Sequence, residues 1–316
     1  MSADVTRPSY TLTALFCALV LVSRAFSGPM HFSFAFAFGS AGEEPGEFHK
    51  PAGLTVDPNG NIYVADTGNN RICKFDRSGQ LITFIGGFGW ESEQFQHPVD
   101  IYTDEGLNVF VADYENRRIE RYDKDLNWIS SIHSSPSLDE NLQFGFPRSV
   151  CLSLHNDLFV VDGENNRILK LNALREPVLS FGDYDWGEGD LAEPAQIFIS
   201  RSDEVYVTDI SAGLVRIYDY YGNYVTRIGD GVLDRPTGLC FIAGGLLCVA
   251  DEGGDCLFFF DRSGRLLLTL GSPGEKLGAF QNPGDVAAQR NRVYVADTDN
   301  HRVQVFEIRT GDTSQP

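Results

Sequence analysis

The sequence predicts an all-β fold, a six-bladed β-propeller of four-stranded antiparallel blades with an N-terminal strand completing the last blade. Three observations predict it. Proline followed 15 residues later by aspartate recurs at Pro51/Asp66, Pro98/Asp113, Pro147/Asp162, Pro194/Asp209 and Pro236/Asp251, with Pro283/Asp297 one residue shorter. Successive prolines stand 47, 49, 47, 42 and 47 residues apart, a period that marks propeller blades. Each interval also repeats one order of short apolar strands and turn residues.

The first unit shows that order. Leu54 and Val56 alternate with Thr55 as strand a. Asp57-Pro58-Asn59-Gly60-Asn61 reads as a turn and Ile62 to Ala65 as strand b. A second turn spans Asp66 to Asn70. Strand c covers Ile72 to Phe75, Arg77-Ser78-Gly79 turns the chain, and strand d covers Leu81 to Ile85. A Gly-rich loop then leads to the next proline. The sixth unit, Pro283 to Glu307, supplies only three strands. The fourth is expected at residues 31–39, where His31-Phe32-Ser33-Phe34-Ala35-Phe36-Ala37-Phe38-Gly39 alternates large and small with period two, as a strand packed on one face does. Closing the ring with it removes exposed sheet edges.

The residues of these units resemble NHL repeats. PAGLTVDPNGNIYVADTGNNRICKF in the first unit, LFVVDGENNRILKL in the third and VYVADTDNHRVQVF in the last carry the family's pattern of apolar strand, Asp, Asn and Arg. The resemblance spans residues 50–307 and implies a six-bladed propeller. Fold alone does not name a function. A related lyase that finishes peptide amidation binds zinc through channel histidines, and lactonase-type propellers bind a metal through carboxylates and Asn. The first has no counterpart at the channel positions of this chain. The second keeps open a metal-assisted lyase or hydrolase acting on a small molecule.

Strand alternation places the d-to-a loops and the b-to-c turns on one face, called here the top. Its loops are acidic: Glu43, Glu44 and Glu47; Glu91 and Glu93; Asp139 and Glu140. The fourth loop, FGDYDWGEGDLAEP, is densest, with Asp183, Asp185, Glu188, Asp190 and Glu193 among Tyr184 and Trp186. Trp90 and Phe95 add aromatic surface elsewhere. Carboxylates with aromatics at a ring mouth suit a cationic peptide or protein; solvated turns are the other reading. Two residues past each proline, where strand a enters the channel, stand Gly53, Asp100, Ser149, Gln196, Gly238 and Asp285. Asp100 and Asp285 have the chemistry to hold a divalent cation or a ligand hydroxyl, or else to bond backbone within the blade.

The Asp and the Arg five residues on recur as Asp66/Arg71, Asp113/Arg118, Asp162/Arg167 and Asp297/Arg302, which marks a building rule rather than a singular catalytic site. Leu214 and Cys256 replace the Arg in blades 4 and 5, and this points there for asymmetric function. No nucleophile elbow, phosphate loop, H-E-x-x-H or C-x-x-C occurs. His49 and His97 precede neighbouring prolines and have the spacing to approach one another. Pairing strands a and b puts Cys240 opposite Cys248, either bridged or as two buried thiols.

The net charge of −19, with five Lys against twenty Arg, disfavours nucleic acid. Residues 1–27 read as an export signal, with Arg7 ahead of the 13-residue apolar run Tyr10 to Val22 and small residues Ala25 and Ser27 before a cut; an uncleaved anchor is the alternative. The propeller is expected over 28–309 with a tail at 310–316. The chain is expected to be an exported, monomeric, non-catalytic binding scaffold with a cationic protein or peptide partner and no cofactor.

Overall fold

A computed structural model describes residues 30–104, 108–183 and 187–310. The expected export segment 1–27, the aromatic and acidic trio Tyr184, Asp185 and Trp186, and residues 311–316 lie outside the described residues. Six four-stranded antiparallel sheets make up the described chain. Blade 1 is Leu54–Val56, Ile62–Asp66, Arg71–Phe75 and Leu81–Gly86, hydrogen-bonded in that order. Blades 2 to 5 follow from Pro98, Pro147, Pro194 and Pro236 in the same order. Strand a of each blade touches strand a of the next, all the way round from blade 6 to blade 1, so the six sheets close a ring about one axis.

Strand b is buried on both faces in every blade, as in IYVAD and VYVTD, so it reads as a continuous apolar run without alternation. The buried side chains fall into six clusters, each shared by two consecutive blades. Every cluster also receives one apolar residue from the loop three positions before a proline: Phe48, Phe95, Phe144, Leu191, Leu233 and Phe280. Burying such a side chain is worth about 1.5–3 kcal/mol, enough to hold a loop whose backbone is otherwise wet. The d-to-a loops are thus pinned from within.

Strand Met30–Phe38 pairs antiparallel with Arg302–Thr310 and completes the sixth blade beside Pro283–Gln289 and Arg292–Asp297. It does not pack on one face, as plain alternation predicts. Phe34 lies opposite Phe306 and Phe36 opposite Val305, so Ala35 is an extra residue, a β-bulge. The bulge reverses which side the later residues face. Met30 and Phe32 pack into the core shared with blade 5, where Phe32 lies 4.6 Å from Phe259 between ring centroids. Phe36 and Phe38 pack into the core shared with blade 1, where Phe38 lies 4.8 Å from Phe75. One strand thereby fastens both neighbours of the last blade.

Phe38→Ala is expected to destabilise the fold by about 2–4 kcal/mol, since Phe38 is only partly exposed and fills a shared core. Ala35 deletion is expected to cost less, because it removes the unpaired residue while keeping Phe36 opposite Val305 and Phe38 opposite Val303. Urea denaturation followed by tryptophan fluorescence measures both.

Candidate functional site

The top face is built from the recurring Asp at the end of strand b. Asp66 accepts the backbone N–H of His49 at Oδ1 (2.7 Å) and Arg71 Nε–H at Oδ2 (2.7 Å). The guanidinium then donates to three carbonyls of the preceding loop, Glu43, Glu44 and Glu47, at 2.6, 3.1 and 2.9 Å. Arg118 repeats this from Asp113 (2.8 Å) to the carbonyls of Trp90, Glu91 and Gln94. Arg302 repeats it from Asp297 (2.7 Å) to Glu275, Lys276 and Ala279. Arg167 holds the carbonyls of Glu140 and Gln143, both at 2.8 Å. A planar fork of donors suits this task, and Lys would not do it. Burial pushes the Asp66 and Asp113 carboxyls up against the hydrogen bonds that lower them.

Blades 4 and 5 depart from the pattern for structural reasons. In blade 4 the arginine has moved two residues along strand c, to the same face. Arg216 Nε donates to Asp209 Oδ2 (3.2 Å) and its Nη1 to the carbonyl of Glu188. Gln304 reaches Asp297 from the equivalent position in blade 6 (2.9 Å). In blade 5 the preceding loop runs only from Gly229 to Arg235, the source of the 42-residue proline interval. Asp251 binds that short loop directly through the N–H groups of Asp234 (2.8 Å) and Arg235 (3.3 Å). No clamp is needed there, and the missing arginine marks a short loop.

Of the six positions two past each proline, four carry side chains that latch one blade to the next. The backbone N–H of the next residue round the ring has to be satisfied where the a strands meet. Asp285 Oδ2 accepts Leu54 N–H of blade 1 (2.8 Å), and its Oδ1 accepts its own neighbour Val286 N–H (2.6 Å). Asp100 accepts Val150 N–H of blade 3 (3.1 Å) and the N–H of Ile101. Ser149 Oγ accepts Ile197 N–H (3.2 Å), and Gln196 Oε1 accepts Leu239 N–H. Gly53 and Gly238 have no side chain with which to accept one. A Cβ at Gly238 would lie 2.5 Å from the Asp285 Cα, and one at Gly53 would lie 2.7 Å from the Asp100 Cα. Each glycine therefore precedes an aspartate that serves two amides. The bonding runs mainly between blades, not within one as the sequence reading framed it.

Gln196 Nε2 donates to Asp285 Oδ1 (2.7 Å) and also bonds Asp100, tying the two carboxylates together. Asp100 and Asp285 are 6% and 2% exposed. Burial raises both carboxyls, and the charge of Asp100 raises Asp285 further. They floor a cavity of about 520 Å³ at the channel mouth, with Lys50, His97, Tyr114 and Arg148 on its rim. The charges around the mouth pair with one another: Lys50 with Asp299 (3.4 Å) and Arg148 with Glu193 (3.5 Å) across blades, and Arg235 with Glu252 (2.6 Å) within blade 5. His49 stacks on His301 with centroids 5.9 Å apart, and His97 meets Tyr114 edge-on. Among the described residues no group of three or more His, Cys, Asp or Glu is placed to hold a metal ion.

Comparison with known proteins agrees with this architecture. A family model described as NHL repeat matches residues 48–75 and 280–306. Those two segments hold the Asp–Asn–Arg turns of blades 1 and 6, which the ring brings side by side. The chain is a six-bladed propeller with NHL repeats in its first and last blades. It is 28% identical over 131 residues to Protein brain tumor of Drosophila melanogaster, covering 41% of this chain and 13% of that one. It is 36% identical over 73 residues to NHL repeat-containing protein 2 of Gallus gallus, covering 21% and 10%. The chain thus spans a small part of these curated relatives. Among solved structures it is similar to a Bacteroides thetaiotaomicron protein of unknown function (TM-score 0.69, 16% identity, 89% of this chain and 76% of that one). It is also similar to virginiamycin B lyase from Staphylococcus aureus (TM-score 0.60, 11% identity, 88% and 99%). At such identities these two structures share the fold.

Within the propeller ring the sequence-predicted site residues part company. Asp100 and Asp285 meet at the channel floor. Asp183, Glu188 and Trp90 lie outside the lining of that cavity. Asp183 is half-buried and faces Arg167 Nη1 at 3.6 Å, while Glu188 is exposed. Trp90 is 69% exposed, beside Phe88 at 67%. Sequence reasoning missed the latch role of Ser149 and Gln196 and the loop anchors at three before each proline. The anchors had a signal, a large apolar residue at the same offset six times. Cys240 and Cys248 are cross-strand partners and free thiols, and burial with the neighbouring Cys240 raises the Cys248 thiol well above its ordinary value. Burial likewise pushes the Cys73 and Cys151 thiols up to about 12.

Gly238→Ala is expected to destabilise by about 1–3 kcal/mol, because the new methyl meets backbone that cannot yield. Asp285 carries a pH signature. Its folded carboxyl sits above the unfolded value, so its contribution to stability is full below about pH 4 and is lost as pH rises through the raised value. Urea midpoints between about pH 4 and pH 8 should therefore fall more in the wild type than in Asp285→Asn. Equal pH profiles would contradict this assignment.

Proposed function

We propose that this chain is an exported, non-catalytic scaffold that binds a basic protein or peptide segment on its top face, with Phe88 and Trp90 as the apolar anchor. The observation that carries the reading is the contrast between the channel and the loops. Channel carboxylates are consumed by latching the blades, and rim charges are consumed by pairing with one another. The loop before blade 2 instead leaves two large aromatics in solvent, next to the exposed carboxylates of Glu91 and Glu93. Its backbone is fixed by Arg118 and by the buried Phe95, so the anchors are presented without much ordering cost. An exposed aromatic beside carboxylates favours Arg or Lys through stacking and charge together.

Two further supports come from the sequence. The apolar run Tyr10 to Val22 supports export, and the net charge of −19 opposes a polyanionic partner. Asp183 and Glu188 extend the acidic surface over the loop before blade 4. The catalytic alternative in the channel would need Asp100 or Asp285 to release a backbone N–H before taking a metal or a proton from substrate, which weighs for the scaffold.

A fluorescent arginine-rich nonapeptide is expected to bind the full chain in a salt-dependent way. Trp90→Ala and the double change Glu91→Lys with Glu93→Lys should each weaken it at least five-fold, and reversing Asp183 and Glu188 should weaken it less. Binding by fluorescence anisotropy that ignores both salt and the blade 2 loop variants would reject this function.

A further inference from the structure

The face opposite the loops holds a second cavity of about 680 Å³. It lies where the a-to-b turns of blades 4, 5 and 6 meet the c-to-d turn of blade 5. Its floor is apolar and aromatic. Phe198 and Phe241 are half-buried with ring centroids 5.4 Å apart, and the buried Tyr206 stands edge-on to Phe241 at 5.0 Å. Its rim is basic. Arg201, Arg262 and Arg290 come from three different turns, and all three are exposed.

These arginines behave unlike those of the top face. Arg71, Arg118, Arg167, Arg216 and Arg302 each pair with an aspartate, and Arg148 and Arg235 each pair with a glutamate. Among the described residues Arg201, Arg262 and Arg290 form no ion pair, although the chain carries 44 carboxylates. One carboxylate, Glu204, lines the same cavity. Its Oε2 is already held by the hydroxyls of Ser202 (3.0 Å), Tyr206 (3.2 Å) and Ser200 (3.5 Å). Three guanidiniums of like charge around an aromatic floor are stabilised by an anion between them, and the planar donors favour carboxylate, sulfonate or phosphate.

The geometry points to a binding site for a small organic anion, its acidic group held by Arg201, Arg262 and Arg290 and its apolar body laid on Phe198 and Phe241. The volume lies within the range of about 300–1,000 Å³ usual for small-molecule sites. A flat apolar body packs against these two half-buried rings, and the adjacent Ile199, Ile242 and Ala288 add aliphatic surface. The site is independent of the peptide-binding reading, since it sits on the other side of the ring.

The test uses the full chain and the fluorescent anion 8-anilinonaphthalene-1-sulfonate, with the uncharged N-phenyl-1-naphthylamine as control. The anion is expected to bind saturably, one per chain, and to be displaced by decanoate but not by an equal concentration of inorganic phosphate. Arg262→Ala and Arg290→Ala, each checked by circular dichroism for an intact fold, should weaken it at least five-fold; Trp90→Ala should leave it unchanged. The two arginines lie on turns of different blades, so loss of folding in one variant leaves the other to decide. Absence of saturable binding, equal affinity for the uncharged probe, or indifference to the folded arginine variants would overturn the proposal.

Discussion

Each apolar sheet face in this ring is covered by the neighbouring sheet, so all six cores are shared and the one between blades 6 and 1 is not complete until the ring closes. That constraint organises the rest. It requires strand b to be apolar on both faces, and it requires one residue of every d-to-a loop to plug the gap between blades. It also makes Met30–Phe38 structural cement for three blades at once. The bulge at Ala35 is the device that lets phenylalanines spaced two apart serve two cores, because in an unbroken strand they would all face one side.

Where the a strands crowd together near the axis, the same closure creates a hydrogen-bonding problem. Six inward amides need acceptors where the strands are buried. The chain solves it unevenly: two aspartates take two amides each, a serine and a glutamine take one each, and two glycines yield space. The acidic groups nearest the channel are for this reason parts of the frame. Groups free to meet a partner are displaced outward to the loops on one face and to the turns on the other.

Much of this was legible in the sequence. The Pro-to-Asp spacing specified blade number and strand order, because both depend on local turn chemistry repeated in register, and the missing fourth strand of the sixth unit specified the partner of the first. The Asp–Arg pair was readable as a building rule for the same reason. What escaped was whatever depends on neighbours distant along the chain. Arg216 does the work of an arginine two residues earlier, and only the sheet shows that both positions face the loop. Ser149 and Gln196 look unremarkable until the next blade's amide is in place. The acidity of the top face was read from loop composition, whereas Lys50 and Asp299 belong to opposite ends of the chain and meet only across the closure.

The bulged N-terminal strand has a consequence for biosynthesis. Met30 pairs with Thr310, a residue 280 positions later, so the strand leaves the ribosome before any of the blade that will receive it. Until the last turn is made, Phe32, Phe34, Phe36 and Phe38 have no native place to go, and the five earlier blades can stack only as an open arc with two bare ends. Contacts this remote along the chain form late and slowly. Nascent molecules therefore pass through a stage in which an aromatic strand and two uncapped sheet faces are exposed together, and chaperone capture or pairing between two such arcs competes with completion of the circle.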